Sequence, residues 1–299
     1  MIFILLVLSL LNIFNFSTPN SGGSFVANAR QNFIVDLTNL NSVVNKSNNN
    51  SKVSDNVNSL NIDVNSIKAK AFLVRELNGD TLLSKNIFVK KNIASITKLM
   101  SVYLGFNLFK ESDIFTFDQE SIDQLGTIGN FVVGERISRN DIFKVSLVGS
   151  SNDAIYLLAK TYGLNDFIAL MNKTAKEFNM LNTSFTDVTG VGNNLSTAYD
   201  LSLLLEKIYT SRPDVLSLSN FEFVVINNKR VWTTNILLPK YKNIIIGSKT
   251  GFTPSANECL VALVKFANSP FLAVVILDSD NRFQDFEYLI NALKNYYGN

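Results

Sequence analysis

The chain has 299 residues, 46% hydrophobic and 17% charged, enough to bury one substantial core, and nothing in it repeats at a fixed period. A formal net charge of +2 carried on scattered lysines excludes a nucleic-acid binder, and a single cysteine, Cys259, excludes an internal disulfide. The absence of histidine excludes a Ser-His-Asp triad and any ordinary zinc site.

Residues 2–16 are apolar except for Ser9, Asn12 and Asn15. The run is too short for a comfortable membrane span and matches the hydrophobic part of an export signal. Ala27-Asn28-Ala29 offers a small-x-small cleavage site, yet no lysine or arginine precedes the run. Residues 1–29 are therefore expected to be an export signal or a weak N-terminal anchor, and either places the rest of the chain outside the cytoplasmic membrane. Residues 30–66, dominated by Asn, Ser, Val and Lys, have little to bury and read as a flexible linker. Residues 67–299 read as one folded domain.

Within it, residues 69–75 predict a strand, Asn78-Gly79-Asp80 a hairpin turn, and 81–84 the start of the returning strand. Residues 94–109 predict an apolar helix with Ser95 in its first turn. Lys98, three residues on, shares that face, so hydroxyl and amine lie within reach of each other. A serine hydroxyl is a poor nucleophile until a base takes its proton, and without histidine that base must be a lysine. The helix N-terminus also favours negative charge developing beside the serine.

Residues 126–134 predict a loop and 138–148 a helix opened by the cap Ser138-Arg-Asn-Asp141, with a second helix over 153–162. Ser150-Ser151-Asn152 falls in the short break between these helices, where side chains can face a cleft. Helices over 165–178 and 197–209 flank a loop containing Gly190-Val-Gly192. Strands follow over 221–226, 244–249, 258–266 and 271–277, and a helix over 284–297 closes the chain. Lys249-Thr250-Gly251 ends the second of these strands, and Cys259 sits in an apolar run as a buried strand residue.

S-x-x-K and K-T-G occur once each, whereas S-x-N recurs, for example at Ser84 and Ser255. Alone, each string also reads as a helix cap, a solvated face or an edge strand. In this order the three form a complete acyl-transfer apparatus. With Ala94-Ser-Ile-Thr-Lys-Leu-Met100, Gly149-Ser-Ser-Asn-Asp-Ala154, Met180-Leu-Asn-Thr-Ser-Phe185, Ser196-Thr-Ala-Tyr-Asp-Leu201 and Lys249-Thr-Gly-Phe-Thr253, the chain from Ala69 onward resembles the low-molecular-weight penicillin-binding proteins, serine-type D-alanyl-D-alanine carboxypeptidases and endopeptidases.

The resemblance implies an α+β fold, an antiparallel β-sheet flanked by helices plus a helical subdomain, of the DD-peptidase/β-lactamase-like kind. It implies that Ser95 attacks the D-Ala-D-Ala carbonyl and that Lys98 is the base. Ser150 would relay the proton to the leaving amine, and Asn152 would hold Lys98 and the substrate amide. Lys249 and Thr250 would meet the substrate carboxylate, Gly251 would leave room along the strand, and the backbone N–H groups of Ser95 and Phe252 would form the oxyanion hole. No cofactor or metal is expected. The expected partners are peptidoglycan stem peptides, with β-lactam antibiotics as inhibitors, no nucleic acid, and at most peripheral or N-terminally anchored membrane association. The expected location is the periplasm or the outer face of the cytoplasmic membrane.

The chain ends about one helix after its last core strand, which resembles the endopeptidase branch more than the membrane-bound carboxypeptidases. Two alternatives stand beside this reading. A serine β-lactamase of class A adds a glutamate that activates water, and the candidate, Glu177, reads as the end of an amphipathic helix. A catalytically idle wall-binding protein has no reason to keep Ser95, Lys98, Asn152 and Lys249 together.

Overall fold

The computed structural model describes Leu60 and residues 62–298 apart from Asn78 and Thr127. The expected export segment, residues 1–29, and most of the expected linker lie outside the described residues, as does Asn78 of the expected hairpin turn.

The strands are β1 (Ala71–Glu76), β2 (Thr81–Lys85), β3 (Lys91–Asn92), β4 (Ile114–Thr116), β5 (Arg136–Ser138), β6 (Leu195–Ser196), β7 (Phe223–Ile226), β8 (Lys229–Trp232), β9 (Ile245–Thr253), β10 (Asn257–Lys265) and β11 (Phe271–Ser279). The helices are α1 (Lys98–Leu108), α2 (Gln119–Ile122), α3 (Arg139–Val148), α4 (Asn152–Tyr162), α5 (Leu164–Glu177), α6 (Ala198–Ser211), α7 (Pro213–Leu218), α8 (Leu238–Tyr241) and α9 (Arg282–Tyr297). The two ends of the described chain build one antiparallel five-stranded sheet in the order β2-β1-β11-β10-β9, and α1 to α8 lie between them in sequence. Three two-stranded pairs, β3-β6, β4-β5 and β7-β8, stand apart from it. This is the α+β arrangement expected from the sequence.

Both faces of the sheet are covered, which is why its strands read as continuous apolar runs instead of alternating ones. Side chains still alternate with a period of two. Leu73, Val261, Leu263, Val275 and Leu277 face the helical layer with α1 and α6, whereas Phe72, Val74, Leu260, Val274 and Ile276 face α9. Helix α9 meets them with Phe286, Leu289, Ile290 and Leu293, spaced i, i+3, i+4, i+7 along one stripe.

Packing begins earlier than expected. Leu60 and Ile62 are buried in the layer beneath α9, the Asp63 N–H donates to the Tyr288 hydroxyl, and Asp63 caps a 3-10 turn over Val64–Ser66. Leu60 and residues 62–66, which fall within the expected linker, thus pack with the folded domain. Two apolar residues among asparagines and serines are averaged away in a compositional reading.

Asp285 ties this entry segment down. It is 1% exposed and accepts hydrogen bonds from the Lys68 N–H (2.8 Å), the Ala69 N–H (2.9 Å) and the Ser279 hydroxyl (2.6 Å). Asp285→Ala leaves buried donors unmatched and is expected to cost about 2–4 kcal/mol of stability. Urea unfolding checks this, and a midpoint equal to that of the wild type would show that the entry segment contributes nothing.

Candidate active site

Ser95 lies on a 3-10 turn, Ala94–Thr97, that leads into α1. The helix expected from residue 94 cannot begin there, because Ala94 has φ +47° and enters the turn from the left-handed region. This strained step presents the Ser95 side chain at the sheet edge, half-buried. Two glycines make room for it. A Cβ on Gly190, which itself has φ +92°, would stand 2.0 Å from the Ala94 carbonyl oxygen, and one on Gly251 would stand 2.7 Å from the Ile93 carbonyl oxygen.

Lys98 is fully buried, and its Nζ donates to Ser95 Oγ (3.0 Å), Asn152 Oδ1 (2.6 Å) and the Thr189 carbonyl (2.6 Å). Burial pulls this amine from 10.5 down to about 7, against the nearby charge of Asp187, which pushes it up. The three partners differ in what they can do for a neutral amine. The Asn152 amide oxygen and the Thr189 carbonyl only accept, so they hold its two remaining N–H groups. The lone pair then faces Ser95, the one partner with a proton to give. The Asn152 orientation is fixed from behind, since its Nδ2 donates to the Leu125 carbonyl.

Adjacent serines divide the work of the second string. Ser151 is the N-cap of α4, accepting from the Ala154 N–H (3.3 Å), and its hydroxyl donates to the Ile128 carbonyl (2.9 Å). Ser150, at φ +68°, turns the other way and accepts from Lys249 Nζ (3.0 Å). Lys249 is buried and, among the described residues, pairs with no carboxylate. Burial, then the charges of Lys98 and Arg282, drive its amine well below the usual lysine range.

Strand β9 is longer than the expected 244–249 and carries the whole Lys249-Thr-Gly-Phe-Thr253 string on the free edge of the sheet. The Ser248 N–H points away from β10 and donates to Ser219 Oγ (2.9 Å). A period of two puts the N–H groups of Thr250 and Phe252 on that same edge, the side where Ser95 approaches Gly251. The Phe252 side chain is 60% exposed. The Thr250 hydroxyl shares a hydrogen bond with that of Thr234 (2.5 Å), and the Thr234 N–H donates to the Val148 carbonyl (3.0 Å). All eight expected site residues thus converge on one place: Ser95, Lys98, Ser150, Asn152, Lys249, Thr250, Gly251 and Phe252.

Sequence reasoning missed Asp187, Thr189, Asn194, Thr234 and Arg282, which support these groups. The string Thr186-Asp-Val-Thr-Gly190 carries the marks of a side-chain-stabilised turn, and only its glycine drew notice. Arg282 donates from Nη1 to the Gly251 carbonyl (3.0 Å) and holds β9 from the sheet side. Two other residues lie apart from the chemistry. Cys259 is buried, with its thiol pushed up to about 12 by burial, and Glu177 is solvent-facing at the end of α5, paired with Lys173 at 3.8 Å. Among the described residues no cluster of Cys, Asp or Glu could hold a metal ion.

A D-alanyl-D-alanine carboxypeptidase family matches residues 56–281 of the chain. The chain is 30% identical to a D-alanyl-D-alanine endopeptidase of Escherichia coli, over 74% of each chain. It is 28% identical to the D-alanyl-D-alanine carboxypeptidase DacF of Bacillus subtilis, over 69% of this chain and 56% of that one. Among solved structures it is similar to penicillin-binding protein D2 from Listeria monocytogenes in its ampicillin-bound form. The TM-score is 0.68 at 27% identity, over 77% of this chain and 99% of that one.

Proposed function

The chain belongs to the D-alanyl-D-alanine carboxypeptidase family, and from that premise we propose that it hydrolyses D,D-peptide bonds of peptidoglycan stem peptides through an ester on Ser95. The observation that carries the assignment is the Lys98 amine, whose lone pair is left to the Ser95 hydroxyl alone. Ser95 Oγ attacks the carbonyl carbon as its proton passes to Lys98. The backbone N–H groups of Ser95 and Phe252 receive the oxyanion. As the tetrahedral adduct collapses, the amine leaves with a proton delivered through Ser150, and water then hydrolyses the ester with Lys98 again as base. Lys249 and Thr250 meet the substrate carboxylate, Asn152 holds its amide, and Gly251 lets the peptide lie close to the strand.

A β-lactam acylates the same serine and blocks it. A peptidase is favoured over a β-lactamase because Glu177, the glutamate considered for activating water, faces solvent beside Lys173. The substrate implies export, to the periplasm or the outer face of the cytoplasmic membrane, with peripheral or N-terminal attachment at most. Among the described residues no helix is long and apolar enough to cross a membrane.

The similarity to an endopeptidase over 74% of its length supports cleavage of crosslinked dimers at least as fast as removal of terminal D-Ala from pentapeptide monomers. Mass analysis of digested muropeptides tests this. Intact dimers beside trimmed monomers would leave a plain carboxypeptidase.

A further inference from the structure

The loop from Thr186 to Asn194 is built around one carboxylate. Asp187 Oδ1 accepts from the Thr189 N–H (2.7 Å), the Thr189 hydroxyl (2.7 Å) and the Gly190 N–H (2.6 Å), and Oδ2 accepts from the Gly192 N–H (2.8 Å). Asn194, fully buried, closes the loop from behind. Its Oδ1 accepts from the Thr186 and Asp187 N–H groups (2.7 and 3.2 Å), and its Nδ2 donates to the Asp187 carbonyl (3.1 Å) and to Thr97 Oγ1 (2.9 Å). The loop meets the nucleophile's turn at three points: the Thr189 carbonyl on Lys98 Nζ, the Gly190 backbone against Ala94, and Asn194 on Thr97.

Four donors hold the Asp187 carboxylate within the loop, three of them on Oδ1. Its charge also acts on Lys98. We propose that Asp187 is a positioning residue for acylation: its carboxylate folds the 186–194 loop into a clamp on the Ser95–Lys98 turn. The inference rests on Lys98 being the base. Burial favours the neutral amine and Asp187 opposes it, so the balance sets the pH above which Lys98 can accept the Ser95 proton. The other ionisable group facing Lys98 across the site is the Lys249 amine on β9, itself driven toward neutrality. On α4, Asp153 next to Asn152 has its carboxyl raised to about 7 by burial.

The test is the second-order rate of acylation by a fluorescent penicillin on the full chain, from pH 5 to 9. Asp187→Asn keeps Oδ1 and its three donors and removes the charge. Its acid limb is expected to move down by half a unit or more, a gain of about threefold at pH 6 relative to its own plateau. Asp187→Glu retains the charge and is expected to keep the limb in place with a lower plateau. Asn194→Ala, which loosens the loop without altering its charge, should do the same, and it carries the clamp argument should Asp187→Asn fail to melt cooperatively. A limb unmoved in Asp187→Asn, or moved equally in both Asp187 variants, overturns the role of the charge. An unchanged plateau in Asn194→Ala overturns the clamp. A limb that vanishes in Asp153→Asn belongs to that carboxyl and overturns the base assignment itself, which separates the two failures.

Discussion

Replacing Ser95 by alanine is expected to abolish covalent labelling by penicillin and to cut peptidase turnover by a factor on the order of 10⁶, as when a nucleophilic serine is removed elsewhere. The side chain is small and half-buried, and its hydroxyl is bound to Lys98, so the fold should be retained. Among the described residues no other serine has its hydroxyl on the lone-pair side of a fully buried amine held by two acceptors. Peptide mapping of the adduct decides the matter. A penicilloyl group on any other residue, or persistent labelling of Ser95→Ala, would remove the nucleophile from the scheme.

Lys98→Arg is expected to lower acylation by about 10²–10⁴ at every pH, because a guanidinium does not give up its proton and cannot take another. In the wild type the lysine is depressed from 10.5 to about 7, so base function is present above that pH and falls about tenfold per unit below it. The same depression costs stability. The unfolded chain holds this proton up to about pH 10, so folding is penalised by an amount on the order of 5 kcal/mol below pH 7, and the penalty fades as pH rises toward 10. Lys98→Met removes base and buried charge together. It should acylate as poorly as the arginine variant while unfolding with less dependence on pH between 7 and 10. Acylation by either variant at the wild-type rate would mean that another group takes the proton.

What could be read from the sequence was local or periodic. Ser95 and Lys98 lie three apart, Ser150 to Asn152 fall in the short break between two helices, and β10 and β11 announce themselves as apolar runs because both faces are covered. Part of what escaped notice has long-range partners that leave no side-chain signature. The third ligand of Lys98 is a backbone carbonyl 91 residues away, a role that any residue type at position 189 could fill. The positive φ of Ala94 is imposed by packing against Gly190 and Gly251 and not by alanine's own preference. Strand β8, Lys-Arg-Val-Trp, buries only Val231, and α7 is six residues behind a proline, both too short for periodicity to register.

The site also bears on edge-to-edge association through the sheet. A nine-residue edge strand such as β9 is the kind of surface on which a second molecule can add a strand, and sheets left open in this way tend to associate edge to edge. Here the edge is obstructed on either side of Lys249. Ser219 takes the N–H of Ser248 and the Asn220 amide donates to the carbonyl of Ile245, while the turn carrying Ser95 crowds against Gly251. Between these obstructions lie Lys249 and Thr250, about 7 Å of strand, too little to register a foreign strand but enough for one extended peptide end. The arrangement that admits a stem peptide to the nucleophile is therefore also a guard against self-association.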